Sequence, residues 1–186
     1  MRFIPTALPE VILIEPVVFS DSRGFFMETY SRQLFARQGI TVEFVQHNHS
    51  HSIRNTLRGL HYQVGHPQAK LVRVLQGAVY DVVVDIRRGA PTFGQWIGVE
   101  LSAENRKQLF VPIGFAHGFC VTSPEADVTY ACGDYYYPPG ERGLIWDDPD
   151  LKIIWPTDAP LLSPKDQKNL LFRDLPADFH YEKAAL

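Results

Sequence analysis

Cysteine is scarce in this chain: Cys120 and Cys132 are the only two in 186 residues. A disulfide-built exported domain is therefore not expected, and both thiols should stay reduced. The opening Met1-Arg2-Phe3-Ile4-Pro5 lacks the apolar core of an export signal, which points to a cytoplasmic location. Long hydrophobic runs are missing as well, so no segment is expected to span a bilayer and no membrane partner is implied. Nor is there an excess of basic charge. A formal net charge of -3 argues against a nucleic-acid partner. It still leaves room for a small anion held by a few placed arginines.

What is present is a soluble composition, 45% hydrophobic and 12% aromatic, in a chain long enough to bury one substantial core. One domain over residues 1–186 is the expectation, with N-terminal strands and a C-terminal helical segment. Repeats, low-complexity tracts and linkers are lacking. Short apolar or alternating runs recur instead: Val11 to Val18, Gly24 to Tyr30, Phe44 to Ser50, Leu57 to Gln63 and Lys70 to Leu75. Ala78 to Ile86, Gln95 to Leu101, Gln108 to Val111, Gly118 to Thr122 and Val128 to Tyr136 follow. Strand-length segments at this spacing predict an all-β sandwich or barrel. Gln76-Gly77 reads as a tight turn and Arg88-Gly89-Ala90-Pro91 as a longer loop. Ser31 to Gln38 predicts one short helix stopped at Gly39, with Ser31 as N-cap. Ser163-Pro164-Lys165-Asp166 resembles a second helix start, in which Asp166 would meet the positive end.

The most informative stretch is Asn55 to Gln63. It sets His61 and Gln63 on one face of a half-buried strand, just after an arginine and a glycine. Imidazole titrates near neutrality, so a histidine within reach of a cation suits proton transfer. A lone histidine is more often a hydrogen-bonded structural residue. The remaining motifs decide against that.

Ordered matches run along nearly the whole chain: Asp21-Ser22-Arg23-Gly24-Phe25-Phe26-Met27-Glu28, Phe44-Val45-Gln46-His47-Asn48-His49-Ser50 and Leu57-Arg58-Gly59-Leu60-His61-Tyr62-Gln63. Lys70-Leu71-Val72-Arg73, Phe115-Ala116-His117-Gly118-Phe119, Glu141-Arg142-Gly143 and Leu162-Ser163-Pro164-Lys165-Asp166 continue them. Together they resemble the deoxysugar-nucleotide epimerase family. The resemblance implies an all-β, cupin-type jelly roll with a few short helices, forming homodimers. It also implies a dTDP-sugar substrate inverted at C3 and C5 beside a C4 ketone, with no cofactor and no metal. Such chemistry needs a base, an acid on the opposite face and a cation at the enolate oxygen.

By that resemblance His61 is the base, Asp166 its partner, Tyr130 the acid and Lys70 the cation. Arg23, Phe26, Glu28, Gln46, His47, Asn48, Arg58 and His117 match nucleotide or sugar contacts, as do Glu141 and Lys165. Tyr136 matches an aromatic that stacks on thymine. The segment from Arg23 to Glu28 is expected to reach the site of the other subunit. Arg58 and His61 stand three apart, on opposite faces of a regular strand, unless Gly59 introduces a bulge. His47 departs from the aspartate common at that position. It also completes an alternating set with His49 and His51, the best argument for a rival metal-dependent cupin. An epimerase acting on C3 alone or C5 alone is the nearer alternative, and a non-catalytic sugar-nucleotide binder the more distant one.

Overall fold

The computed structural model describes residues 1–182. Its strands are short because the apolar runs are brief and cut by proline and glycine. The first are β1 (Arg2–Pro5), β2 (Ile12–Glu15), β3 (Val18–Asp21) and β4 (Gly24–Met27). After helix α1 (Arg32–Arg37) come β5 (Gln46–Ile53), β6 (Leu57–Gln63), β7 (Lys70–Gln76) and β8 (Ala78–Asp85). β9 (Trp96–Ser102), β10 (Gln108–Val111), β11 (Phe115–Val121), β12 (Glu125–Cys132) and β13 (Glu141–Gly143) follow. A six-stranded sheet runs β1-β2-β10-β7-β12-β5 and faces a five-stranded one, β13-β6-β11-β8-β9. The hairpin β3–β4 belongs to neither. The expected jelly roll is what forms.

Several local expectations need correction. The run Val11 to Val18 is two strands, because Pro16 between them has no N–H to give a ladder. Gln76-Gly77 is the expected tight connection, and it passes from one sheet to the other, since β7 and β8 lie in different sheets. Gly77, at φ +71°, turns that corner where a Cβ would stand 2.0 Å from the Glu125 carbonyl oxygen. Helix α1 forms beside Gly39 as expected, yet the Ser31 hydroxyl makes no capping bond. Among the described residues the C-terminal segment holds no α-helix, only isolated 3-10 turns at Asp166–Lys168 and Phe172–Asp174.

Strand parity explains the core. Val72, Val74, Val79, Val83, Phe119 and Val128 fill the space between the sheets. Leu60, Tyr62, Val82 and Val84 face outward from the five-stranded sheet, against Trp155, Phe172 and Leu175. Leu71, Phe110 and Ala131 face outward from the other, beneath Phe35 of α1. β8 is thus buried on both faces, which explains why it is apolar apart from Tyr80, Asp81 and Asp85. Each such valine contributes roughly 1.5–3 kcal/mol relative to exposure. The inward series then change character along their strands: Val128, Tyr130, Cys132 in β12 and Val74, Val72, Lys70 in β7. One end of the sandwich is sealed by hydrocarbon. The other is polar and open.

Candidate active site

At the polar end a cavity of about 880 Å³ lies between the sheets. His61 enters it from β6, opposite His117 on β11, while Leu60 and Tyr62 pack on the other face. Between Arg58 and His61, β6 has two residues where β11 has only Gly118. This bulge brings Arg58 and His61 into the same cavity despite their spacing. Gly59, at φ +112°, permits it: a Cβ there would lie 2.6 Å from the Gly118 Cα.

Asp166 arrives from 105 residues later because the chain before it is stitched to the start of β6. The Leu57 N–H donates to the Leu161 carbonyl at 3.0 Å, and the Leu161 N–H donates to that of Asn55 at 2.8 Å. Ser163 Oγ then accepts the Asp166 N–H at 3.1 Å, just ahead of a single 3-10 turn. Asp166 Oδ1 ends 2.5 Å from His61 Nε2, with the side chains 5% and 29% exposed. Burial pushes the Asp166 carboxyl upward, but the hydrogen bond and charge of His61, with Ser163 and Lys165, hold it below the usual range. A carboxylate fixed on Nε2 leaves Nδ1 as the nitrogen able to take a proton.

The opposite wall carries Tyr130 and Lys70. Burial raises the Tyr130 pKa, and Cys132 and Glu141 add to it, so the phenol keeps its proton. Lys70 is lowered by burial, partly offset by Cys132, Asp81 and Glu141. Deeper in, His117 Nε2 lies 2.9 and 3.0 Å from the two carboxylate oxygens of Asp81, the pair being 7% and 0% exposed. Sequence reasoning missed Asp81. Its signal was a carboxylate at an inward position of the apolar run Val79 to Ile86.

Along the rim, Gln46 and Asn48 share a face of β5, with Gln46 Nε2 donating to Asn48 Oδ1 at 3.0 Å. Arg58 crosses the mouth from the other sheet, Nε donating to Ser52 Oγ at 3.0 Å and Nη2 to the His51 carbonyl at 3.3 Å. The Tyr136 hydroxyl donates to Glu141 Oε2 at 2.7 Å, and Glu141 also pairs with Lys165. Burial raises the Glu141 pKa, but these two partners together bring it below the ordinary carboxylate value.

Residues 5–174 match the family model described as dTDP-4-dehydrorhamnose 3,5-epimerase. The chain belongs to this family. A dTDP-4-dehydrorhamnose 3,5-epimerase of Pseudomonas aeruginosa is 54% identical, over 94% of this chain and 97% of its own. The solved dTDP-6-deoxy-D-glucose-3,5-epimerase of Legionella pneumophila, in complex with dTDP-4-keto-L-rhamnose, is 47% identical with a TM-score of 0.95. That alignment covers 98% of this chain and 99% of the other. A 3'-monoepimerase of Streptomyces bikiniensis, solved with dTDP as a double mutant lacking one histidine and one tyrosine, is 34% identical. Its TM-score is 0.88 over 95% of this chain and 92% of its own. As a member of the dTDP-4-dehydrorhamnose 3,5-epimerase family, the chain is an isomerase acting on a sugar nucleotide.

Three expected contact residues lie elsewhere in the single chain, and a fourth, His47, only borders the cavity at the strand edge. Its side chain is exposed on the outward side of β5, opposite to Gln46 and Asn48. There it meets a second cavity of about 360 Å³ on the outer face of the six-stranded sheet. Strand parity forces this, because residues flanking an outward position must point in. His49 and His51 point outward too, at 2.9 and 3.4 Å from Asp127 Oδ1, so the histidine comb does not converge on the cavity. Arg23, Phe26 and Glu28 belong to the detached β3–β4 hairpin and its flank, outside the cavity. Arg23 is 88% exposed and paired with Asp21 at 2.6 Å.

Proposed function

We propose that the chain inverts C3 and C5 of dTDP-4-dehydro-6-deoxy-α-D-glucose, giving dTDP-4-dehydro-β-L-rhamnose, with His61 as base and Tyr130 as acid. One observation carries this assignment: the His61–Asp166 pair stands on one wall of the cavity and Tyr130 with Lys70 on the other. A hexose ring between the walls meets a base on one face and an acid on the opposite face. Both carbons flank the C4 ketone, so removing either proton gives an enolate. His61 takes the proton, and the C–H electron pair moves onto the C4 oxygen. The Lys70 ammonium is the cation placed to hold that oxygen. Tyr130 then delivers a proton from the other side, and the enolate electrons form the new C–H bond. The tyrosyl oxygen regains a proton and the imidazolium loses one to solvent. Asp166 stabilises the imidazolium meanwhile. Nothing is oxidised or reduced overall, so the chemistry requires no redox cofactor.

Arg58 provides a guanidinium fork for the diphosphate, and Tyr136 an exposed ring for thymine. Gln46, Asn48, His117, Glu141 and Lys165 surround the same space. A second copy of the chain completes the site with Arg23, Phe26 and Glu28. The β3–β4 hairpin supports this, carrying exposed Phe19, Phe25 and Phe26 away from its own sheets, and β5 ends its sheet as an edge strand. Sedimentation at twice the monomer mass is expected. Two buried free thiols support a cytoplasmic location, and the three contiguous buried clusters support a single domain.

The Streptomyces monoepimerase gives a specific reason to keep single-centre inversion as the second reading: its described variant replaced a tyrosine, so a single-centre enzyme has one too. The higher identity to double epimerases favours inversion at both carbons. Deuterium uptake from heavy water decides. Exchange at C3 and C5, with the L-lyxo product trapped by a reductase, is expected; uptake at one carbon alone refutes the double reaction.

A further inference from the structure

Gln63 sits two residues beyond His61, on the same inward face of β6, and is 5% exposed. Its amide is fully committed. Nε2 donates to the Tyr135 carbonyl at 2.9 Å and to the His66 carbonyl, while Oε1 accepts the Tyr137 N–H at 2.8 Å. Both amide protons are spent on main chain, leaving none for a ligand. Two other glutamines grip the same loop: Gln46 Oε1 accepts the Tyr136 N–H at 2.9 Å, and Gln68 Nε2 donates to the Asp134 carbonyl at 2.8 Å. The loop from Asp134 to Tyr137 is outside any regular strand, so these side chains replace the ladder it lacks.

We propose that Gln63 is a positioning residue for nucleotide recognition: through the main chain of Tyr135 and Tyr137 it sets the Tyr136 ring where the nucleobase stacks. This rests on the reading of Tyr136 as the thymine platform. One strand then fixes both the catalytic imidazole and the nucleobase platform, which keeps the distance from base ring to hexose constant.

Binding of dTDP and of inorganic pyrophosphate to Gln63→Met, Tyr136→Ala and the double variant tests it by calorimetry. Gln63→Met should weaken dTDP about tenfold, raise KM in proportion and leave kcat within about twofold. Pyrophosphate affinity should not change, and Gln63→Met should have no further effect once Tyr136 is alanine. An equal loss in both backgrounds, or a parallel loss for pyrophosphate, overturns the proposal. Unchanged dTDP affinity in Gln63→Met alone, with Tyr136→Ala weakened, overturns it while sparing the stacking reading. Unchanged affinity in Tyr136→Ala overturns both. If Gln63→Met does not fold, Gln63→Glu, which keeps an acceptor for the Tyr137 N–H but removes both donated bonds, carries the same comparison.

Discussion

Imidazole meets carboxylate on both sides of this sandwich, and the two settings behave differently. Inside, His61 faces Asp166 in a cavity where the carboxylate is 5% exposed and the Asp166 N–H is tied to Ser163 Oγ. Outside, on the edge strand, His49 and His51 share Asp127 in open solvent, and the imidazoles are more than half exposed. Hydrogen bonds from histidine lower both carboxylates, yet at Asp166 burial is the largest single influence, and it takes His61, Ser163 and Lys165 together to outweigh it. Water screens the outer pair and leaves it little energetic consequence. Within the cavity the same partners are largely buried together, facing Lys70 and Tyr130. Environment, more than residue type, separates the cavity pair from the surface one.

That contrast predicts a descending series of effects. His61→Ala should lower kcat at least a hundredfold and stop deuterium uptake at both carbons, with dTDP binding largely retained; normal turnover would remove the inner pair from the chemistry. Tyr130→Phe should keep deuterium exchange while product inversion drops about a hundredfold, and full inversion would place the acid elsewhere. Lys70 tests the wall opposite His61. Its lowered pKa means the cation is lost as pH rises through a value beneath the ordinary lysine range, so kcat should fall on that alkaline side. Tyr130, pushed upward, is still protonated there. Lys70→Arg keeps the charge and should move the alkaline limb to higher pH at a several-fold cost in rate. Asp127→Asn should do least. Its depressed carboxyl adds stability above the ordinary carboxylate range, and that contribution disappears as pH falls through the folded value. A slight lowering of Tm at neutral pH that vanishes in acid, with kcat within about twofold, is the expected result; a large loss of activity would erase the inside–outside distinction.

Much of this was legible in the residues. β6 and β10 begin and end where the short apolar or alternating runs Leu57 to Gln63 and Gln108 to Val111 place them. His61, Asp166, Tyr130 and Lys70 do share one cavity. Other features lie beyond a one-dimensional pattern. β1 and β13 have four and three residues at sheet edges, too short to show a period. Gly77 announces a turn without saying that the next strand joins the other sheet. His47 was readable in principle, because Gln46 and Asn48 cannot both point inward unless the residue between them points out. Asp81 was hidden by the valines around it, and its meaning emerges only when β11 brings His117 alongside.

Where Gly59 lies against Gly118, two backbones touch with no side chain between them. Such a seam has no compressible padding. A bulkier sugar at this end of the cavity cannot be welcomed by easing these strands apart or trimming a residue, because nothing is left to trim. Changes in which sugars the enzyme admits must therefore originate in the side chains that line the cavity away from this seam, a useful instruction for anyone seeking to redirect it.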